Sequence, residues 1–446
     1  MSSATDDSRP RIVATTDGEI DDRCSMIRFL MYANEWDIEG LIYCSSRFHW
    51  DGHDWAGTDW IEGQIDTYAQ VYENLVEHDS EYPSPDELRD LVYVGNIDDV
   101  GAMDEDTPGS DRIVDVLLDD KPGPVYLQAW GGTNTIARAL WKIENEHPER
   151  MEEVADKAVI YIILNQDRTL REYIQPNWPD LQVLNSFKQF GVFAYDWKNL
   201  IPEEEHRRFF ESEWLEEHIL TGHGPLASEY PTVDLDREED LWDSVRVYWE
   251  EGQYFLSEGD TPSYLHQIPV GLGSLEHPSY GGWGGRFERE PGSKNVWIGA
   301  EDDGDLYKPI WRWISDMQRD WAARADWCVQ SYEEANHPPD VVVNGESGLD
   351  IVRTDARPGE TVEVDGSGTT DPDGDGLEYQ WWNYREAEQV RGGPPAIEIH
   401  DSRSERATVE IPADAEEREY HVVLTVTDDG EPNLTRYRRV ILNVQS

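Results

Sequence analysis

The sequence predicts an α/β unit built on a mostly parallel sheet, followed by a small all-β sandwich. Three observations carry that expectation. Short apolar runs alternate with helically spaced segments, acidic or Gly-rich turns follow those runs directly, and beyond His337-Pro338-Pro339-Asp340 the pattern changes to short strands separated by turn signals. The expected domains are therefore 1–336 and 337–446.

The first strand, residues 11–14, runs into Thr15-Thr16-Asp17-Gly18-Glu19-Ile20-Asp21-Asp22, after which Met26, Ile27, Phe29, Leu30 and Met31 recur at helical spacing. Residues 37–44 read as a second strand, 91–94 as a third and 124–130 as a fourth. The fourth ends in Gly131-Gly132-Thr133-Asn134-Thr135, and Ile136, Ala137, Leu140 and Trp141 then give a helix stripe. Residues 158–164 make a fifth strand, wholly apolar. Strands buried on both faces and alternating with helices imply a Rossmann-like parallel sheet. Residues 196–265 are Glu- and aromatic-rich with helical spacing, and 270–300 reads as a long Gly-dense loop containing Gly281-Gly282-Trp283-Gly284-Gly285-Arg286. Strands at 341–343, 361–364, 377–381, 407–411, 421–426 and 436–444 read as an immunoglobulin-like sandwich.

Composition sets outer limits on function. The 446 residues carry 37 Lys+Arg against 94 Asp+Glu, a net charge of -57. Such a surface repels nucleic-acid polymers and anionic membranes, so a small-molecule or carbohydrate partner is expected, and a homo-oligomer stays open. With hydrophobics at 38% and 19 Trp there is ample material for a core, so the charge is not that of a disordered tail. Only seven of the basic residues are Lys and the acids are spread evenly, the pattern of a halophilic surface in a high-salt cell interior. Cys24, Cys44 and Cys328 are too few for a disulfide framework and read as buried thiols. Met1 to Pro10 lacks the basic and apolar regions of a leader, so a cytoplasmic protein is expected.

In a parallel sheet ligands bind beyond the carboxyl ends of the strands. The densest chemistry there is Asp17, Glu19, Asp21 and Asp22, with Gly18 to let the chain bend. Carboxylates so crowded repel one another unless a cation or shared protons hold them, and a hard oxygen-seeking ion such as Ca²⁺ suits them. In so acidic a chain the same cluster reads equally as a solvated turn. His49 and His53, with Trp50 and Trp55, form a loop after the second strand that could stack on a ring or supply an acid; exposed loop histidines are the commoner case. Trp283 and Arg286 line a pocket, or their glycines simply pack closely.

The segment Ile12-Val13-Ala14-Thr15-Thr16-Asp17-Gly18-Glu19-Ile20-Asp21-Asp22 resembles the calcium-binding signature of the nucleoside hydrolases. Gln128-Ala129-Trp130-Gly131-Gly132-Thr133-Asn134-Thr135-Ile136-Ala137 looks like that family's second turn. Together with Glu258-Gly259-Asp260-Thr261-Pro262, the Gly281 to Phe287 stretch and the sandwich, the ordered set is similar to nucleoside-hydrolase-like proteins that carry a cellulose-binding label. The resemblance implies Ca²⁺ held by Asp17, Asp22, Asp260 and a backbone carbonyl at Asn134 or Thr133. It implies Asp17 as proton acceptor, Asp21 on sugar hydroxyls and Asn177 as a sugar-binding asparagine. The implied reaction is attack of a metal-activated water on an anomeric carbon. Thr15 stands where the family has its first aspartate, Gly18-Glu19 replaces a Pro-Gly, and Gly259 stands where some members carry a leaving-group histidine. The alternative is a non-catalytic carbohydrate-binding protein that keeps the fold. A phosphatase with Asp17 as nucleophile lacks the expected Lys and acid pair.

In the tail, Asp365-Gly366-Ser367-Gly368, Asp371-Pro372-Asp373-Gly374-Asp375-Gly376 and Leu424-Thr425-Val426-Thr427-Asp428-Asp429-Gly430 resemble a polycystic-kidney-disease-type (PKD) module. The Asp371 turn begins like an EF-hand, but Trp382 occupies the position of the bidentate Glu.

Overall fold

Arg11-Ile12-Val13-Ala14-Thr15-Thr16 forms strand β1 (Arg11–Thr16), buried at every position. The computed structural model describes residues 9–231, 257–388 and 397–445. Here β1 joins β2 (Asp37–Tyr43), β3 (Val92–Val94), β4 (Val125–Ala129), β5 (Ala158–Ile163), β6 (Gln182–Ser186), β7 (Phe287–Arg289) and β8 (Val296–Gly299) in one sheet. Its order is β3-β2-β1-β4-β5-β6-β8-β7, and the pairings from β3 through to β8 are parallel. The chain leaves β1 towards β2 on one side and returns to β4 on the other. The β1/β4 boundary is thus the switch point, where a crevice opens beyond the carboxyl ends.

The strands are β-branched and apolar because helices cover them: β4 and β5 are buried throughout, and Val13, Leu127, Ile160 and Val183 pack with Ile113, Ile136, Leu140 and Val154 of the crossover helices. The Ile20–Met31 helix follows β1, and the Asn134–Glu146 helix follows β4.

A short helix, Thr261–Leu265, is fastened between these two elements. The guanidinium of Arg28 donates to Glu258 Oε2 at 3.1 Å, and both side chains are fully buried. Tyr264 donates to the Ser25 carbonyl at 3.1 Å, Trp130 Nε1 donates to Ser263 Oγ at 2.8 Å, and Phe29 packs edge-on against both Tyr264 and Trp130. These contacts fix residues 258–260 over the start of the Ile20–Met31 helix.

The chain divides into Met1–Leu265 with Glu288–Gly299, and His266–Phe287 with Ala300–Ser446. In the second unit, a four-stranded sheet has the order β11 (Val352–Ala356), β17 (Thr435–Val444), β16 (Arg418–Asp428), β13 (Leu377–Asn383). A three-stranded sheet has the order β12 (Thr361–Asp365), β15 (Arg406–Glu410), β14 (Glu398–His400), and β9 (Val342–Val343) pairs with β10 (Glu346–Ser347). Val364, Ala407 and Val409 of the smaller sheet share a core with Trp381, Val422, Leu424 and Val440 of the larger, which makes the sandwich. This unit also contains the Ile314–Trp327 helix.

The expected α/β sheet and the β-rich tail are both present. The Gly-dense stretch expected as a loop contains β7 and β8, and β6, β11 and β14 had no clear periodic signal. Part of the expected helical stretch at 196–265 lies outside the described residues; before it, Trp197–Leu200 and Gly224–Ser228 are short turns of helix, Glu204–Arg207 continues into Arg208–Phe210, and Ser212–Leu215 continues into Glu216–Leu220.

Replacing Arg28 alone strands a buried carboxylate, so Arg28→Met is expected to cost about 3–5 kcal/mol in urea unfolding, whereas Arg28→Met with Glu258→Leu recovers most of it. Equal losses in the single and double variants would reject this role for the pair.

Candidate functional site

Asp17 closes the turn after β1, Asp21 and Asp22 open the Ile20–Met31 helix, and Asp260 precedes the Thr261–Leu265 helix. The helix N-terminus favours the negative charge of Asp21 and Asp22. Gly18 turns the chain between them at φ +78°, and a side chain there would meet Trp60 Nε1 at 2.9 Å. All four carboxylates are buried, Asp17, Asp22 and Asp260 to within 2% of full burial.

Oxygens of Asp21, Asp22 and Asp260 lie within 4.8 Å of one another. Asp22 Oδ1 accepts from the Thr16 hydroxyl and from the Asp17 N–H at 3.2 Å. One oxygen each of Asp17 and Asp260, both Oδ2, is buried with no hydrogen-bond partner. Among the described residues no Lys or Arg pairs with any of the four. Burial, then the charge of Glu19, pushes the Asp17 carboxyl up to about 6, while His49 and the Ser46 hydroxyl act the other way. Asp21, Asp22 and Asp260 are driven up further, first by burial and then by one another and by Glu19 or Asp17. Buried like charges with orphaned oxygens are what a hard cation satisfies, and this oxygen-only donor set fits Ca²⁺.

The loop after β2 reaches the same place. His49 is 7% exposed; its Nε2 lies 3.4 Å from Glu19 Oε2, and its Nδ1 is 2.5 Å from the Asp54 carbonyl. Burial opposes charge on the ring, but the Glu19 hydrogen bond and the Asp17 and Glu19 charges outweigh it and push His49 up to about 10. Tyr195 donates to the other Glu19 oxygen at 2.7 Å, a partner with no signal in the sequence.

Asn134 sits at the first position of its helix, and the Thr133 carbonyl already accepts from Ala137 N at 2.8 Å. The Asn134 amide donates to Ser45 Oγ and to the Asn96 and Ala102 carbonyls, tying the turns after β2 and β4 together. Its Oδ1 and Asp167 Oδ2 are both buried without a hydrogen-bond partner. Asp167 Oδ1 accepts from Thr133 at 3.2 Å, so this acid joins the rim from the turn after β5, where strand-end position was its only sequence signal.

The structure does not bring Asn177 to this crevice. Exposed, with its amide donating to the Tyr173 carbonyl at 2.8 Å, it lies in the segment that leads into the amino end of β6, the opposite edge of the sheet. There it borders a shallow cavity with Met151, Trp178 and Lys294. The expected match rested on residue type, and strand direction separates it from Asp17. Trp283 and Arg286 belong to the second unit, both buried, with Arg286 Nε paired to Asp302 at 2.7 Å.

Gly259 has a geometric reason to lack a side chain. A Cβ there would stand 2.5 Å from Asp21 Oδ2, so the Asp21 carboxylate takes the space.

Residues 11–287 match the family model described as the cellulose-binding Sde182, nucleoside hydrolase-like domain. Residues 361–444 match that of the C-terminal domain of cellulose-binding protein Sde0182. Among solved structures, a nucleoside hydrolase-related hypothetical protein from Saccharophagus degradans, described as associated with carbohydrate metabolism, is 31% identical; 98% of this chain and 100% of that one are covered, with a TM-score of 0.80. The PKD domain of the KIAA 1837 protein is 22% identical over 21% of this chain and 83% of its own, with a TM-score of 0.17. The type III effector XopQ, complexed with adenosine diphosphate ribose, is 12% identical over 73% and 95%, with a TM-score of 0.33. The last two scores are too low to carry an argument. No curated protein matches the chain.

Asp17 supplies a pH test in calcium-free protein. Its carboxyl titrates near 3.8 when unfolded and about 6 when folded, so across that window the folded chain keeps a proton the unfolded chain has released, and the stability it contributes falls as pH rises. Asp17→Asn is expected to gain stability relative to the parent from about pH 4 to about pH 7, measured by urea unfolding. A difference independent of pH would reject the shift.

Proposed function

The chain belongs to the cellulose-binding Sde182 family, through its nucleoside hydrolase-like domain, and on that footing we propose that it is a calcium-dependent hydrolase of N-glycosidic bonds. One observation carries the reading: Asp21, Asp22 and Asp260 bring oxygens within 4.8 Å of one another, Asp17 is buried on the adjoining turn after β1, and among the described residues no Lys or Arg pairs with any of the four. Asp17, Asp22 and Asp260 would hold the ion. Bound there, it would orient and acidify a water and grip the sugar diol.

The chain's own residues supply the remaining roles. Asp17 has a buried Oδ2 with no hydrogen-bond partner, the property this reading uses for a proton acceptor. Asp21, free of side-chain crowding at Gly259, presents an oxygen to sugar hydroxyls. With no side chain at 259, the leaving group draws its proton elsewhere. His49, oriented by the Asp54 carbonyl and held charged by Glu19, is the donor this reading assigns. Burial of the whole group strengthens each of these interactions relative to water.

Gly259 and the family's cellulose-binding description favour a second reading, a carbohydrate-binding protein that keeps the ion and the fold without turnover. A nucleoside panel in calcium separates the two. Hydrolysis is expected to release free base, and Asp17→Asn to reduce kcat by at least about 10²-fold. Retention on cellulose with no base released, by parent and variant alike, would establish the second reading and reject the first.

The space at position 259 gives an independent check. Gly259→Ala forces the Asp21 carboxylate aside and is expected to weaken calcium binding by about 10–100-fold in calorimetric titration, the effect of disturbing an outer-shell partner. Unchanged affinity would show that Asp21 lies apart from the ion.

A further inference from the structure

Beside the acidic turn lies a second group of polar atoms that the proposed hydrolysis leaves unused. It stands between two helices of the first unit, Ile20–Met31 and Trp60–Tyr68. Trp60 opens the second helix, and its place is fixed from β2. Tyr43, the last residue of that strand, accepts the Ile61 N–H at 3.0 Å, donates to Glu62 at 2.6 Å and meets the Trp60 ring edge-on at 5.9 Å. The indole is thereby carried to the turn after β1, where a side chain on Gly18 would meet Trp60 Nε1 at 2.9 Å and Ala56 at 3.0 Å. Gln64, one helical turn on, shares a face with Trp60 and donates through Nε2 to the Arg23 carbonyl at 2.9 Å. Arg23 follows the acids in the first helix, its N–H donating to the Glu19 carbonyl at 3.2 Å. A helical side chain leans back over the preceding turn, which directs the Arg23 guanidinium towards residues 18–20.

Each of these three side chains carries one polar atom with nothing to bond. Trp60 Nε1, Arg23 Nε and Gln64 Oε1 are all buried without a hydrogen-bond partner. Gln64 is 7% exposed, while Arg23 and Trp60 are half-buried, so the group opens to solvent on one side. The Gln64 amide has no better orientation, because turning it over would set its oxygen against the Arg23 carbonyl. Among the described residues no carboxylate pairs with Arg23. Glu19, on the same helical face, is engaged by His49 at 3.4 Å and by Tyr195 at 2.7 Å. Buried donors and acceptors left open in this way are costly unless a ligand or water meets them.

We propose that Arg23, Trp60 and Gln64 form a subsite for the hydroxyl groups of a second sugar, so that the crevice takes a glycoside of at least two sugar units. Two donors and one acceptor beside an aromatic ring suit hydroxyls, which give and accept at once. A carboxylate or phosphate would use the donors only, and would face Gln64 Oε1 and the acids of the adjoining turn. An apolar group would leave all three atoms open. The inference rests on the proposed function in one respect, the placing of the first sugar at Asp21. Gly18 joins the two places, since the turn that brings Asp17 and Asp21 together is the one the indole N–H abuts.

The full chain in calcium is titrated calorimetrically with glucose, cellobiose and glucuronate, and the ratio of cellobiose to glucose affinity is the readout. The parent is expected to bind cellobiose at least about tenfold tighter than glucose, the gain from two or three added hydrogen bonds. Trp60→Phe removes the N–H and keeps the ring, and Gln64→Met removes the acceptor at similar volume. Each is expected to lower the ratio by about three- to tenfold, and Arg23→Met by at least about tenfold. The three positions are separate, so failure of one variant to fold leaves the other two to decide. A parent ratio near one, or a ratio unchanged in the folded variants, would overturn the proposal. Glucuronate bound more tightly than cellobiose, and released by Arg23→Met, would overturn it in favour of an anion site. Base release from nucleosides is measured on the same parent protein: its absence beside an intact cellobiose ratio would reject hydrolysis alone, and its presence beside a ratio near one would reject the subsite alone.

Discussion

The ion pair between Arg28 and Glu258 holds the first unit in working order. The partners stand 230 residues apart in sequence and meet with no solvent around either. A carboxylate at 258 without that guanidinium would be one more uncompensated charge beside a region that already has four. With it, the segment bearing Gly259 and Asp260 is pinned over the first turns of the Ile20–Met31 helix. Tyr264, Ser263 and Trp130 then fix its direction through hydrogen bonds to Ser25 and along β4. The pair is expensive to bury and contributes position more than net stability.

The scarce positive charge of this chain is unevenly placed along the sheet. At the amino ends of β1 and β2, Glu39 is met by Arg11, Arg112 and Lys121 at 2.7, 2.8 and 2.9 Å, and these partners outweigh its burial and lower its carboxyl. Lys157 and Arg11 likewise hold Asp119 down. In the crevice, Asp17, Asp21, Asp22 and Asp260 have no Lys or Arg partner among the described residues and are driven up. The same residue types thus behave in opposite ways within one sheet, and the difference lies in whether a basic side chain reaches them. Among the described residues His49 reaches the crevice rim, and the Glu19 hydrogen bond and the Asp17 and Glu19 charges favour its charged form.

Much of this was readable in the sequence, for identifiable reasons. β1, β4 and β5 are buried on both faces, so they appear as short, largely apolar runs, and the turns after them follow from that. β6 reads Gln-Val-Leu-Asn-Ser, half polar, and β8 is a short run inside glycines, so neither carries a period. Asp260 could be singled out only by resemblance, because nothing local distinguishes it from the other acids around it. Asn177 was legible as a residue type in a suggestive motif but not as a position, since strand direction sets which edge a residue reaches. The burial of His49 depends on Glu19 and Asp54 folding over it, and Tyr195 reaches Glu19 from a segment without regular pattern.

The separation of Asp260 from Asp17 along the chain has a bearing on how the molecule is made. A nascent chain that has completed β1 and β4 owns three of the four carboxylates but cannot close the crevice, and loop closure over that span is a late, non-local event. During synthesis the amino-terminal acids therefore remain solvated and mutually distant from their last partner. The closed crevice appears only after the Thr261–Leu265 helix has docked.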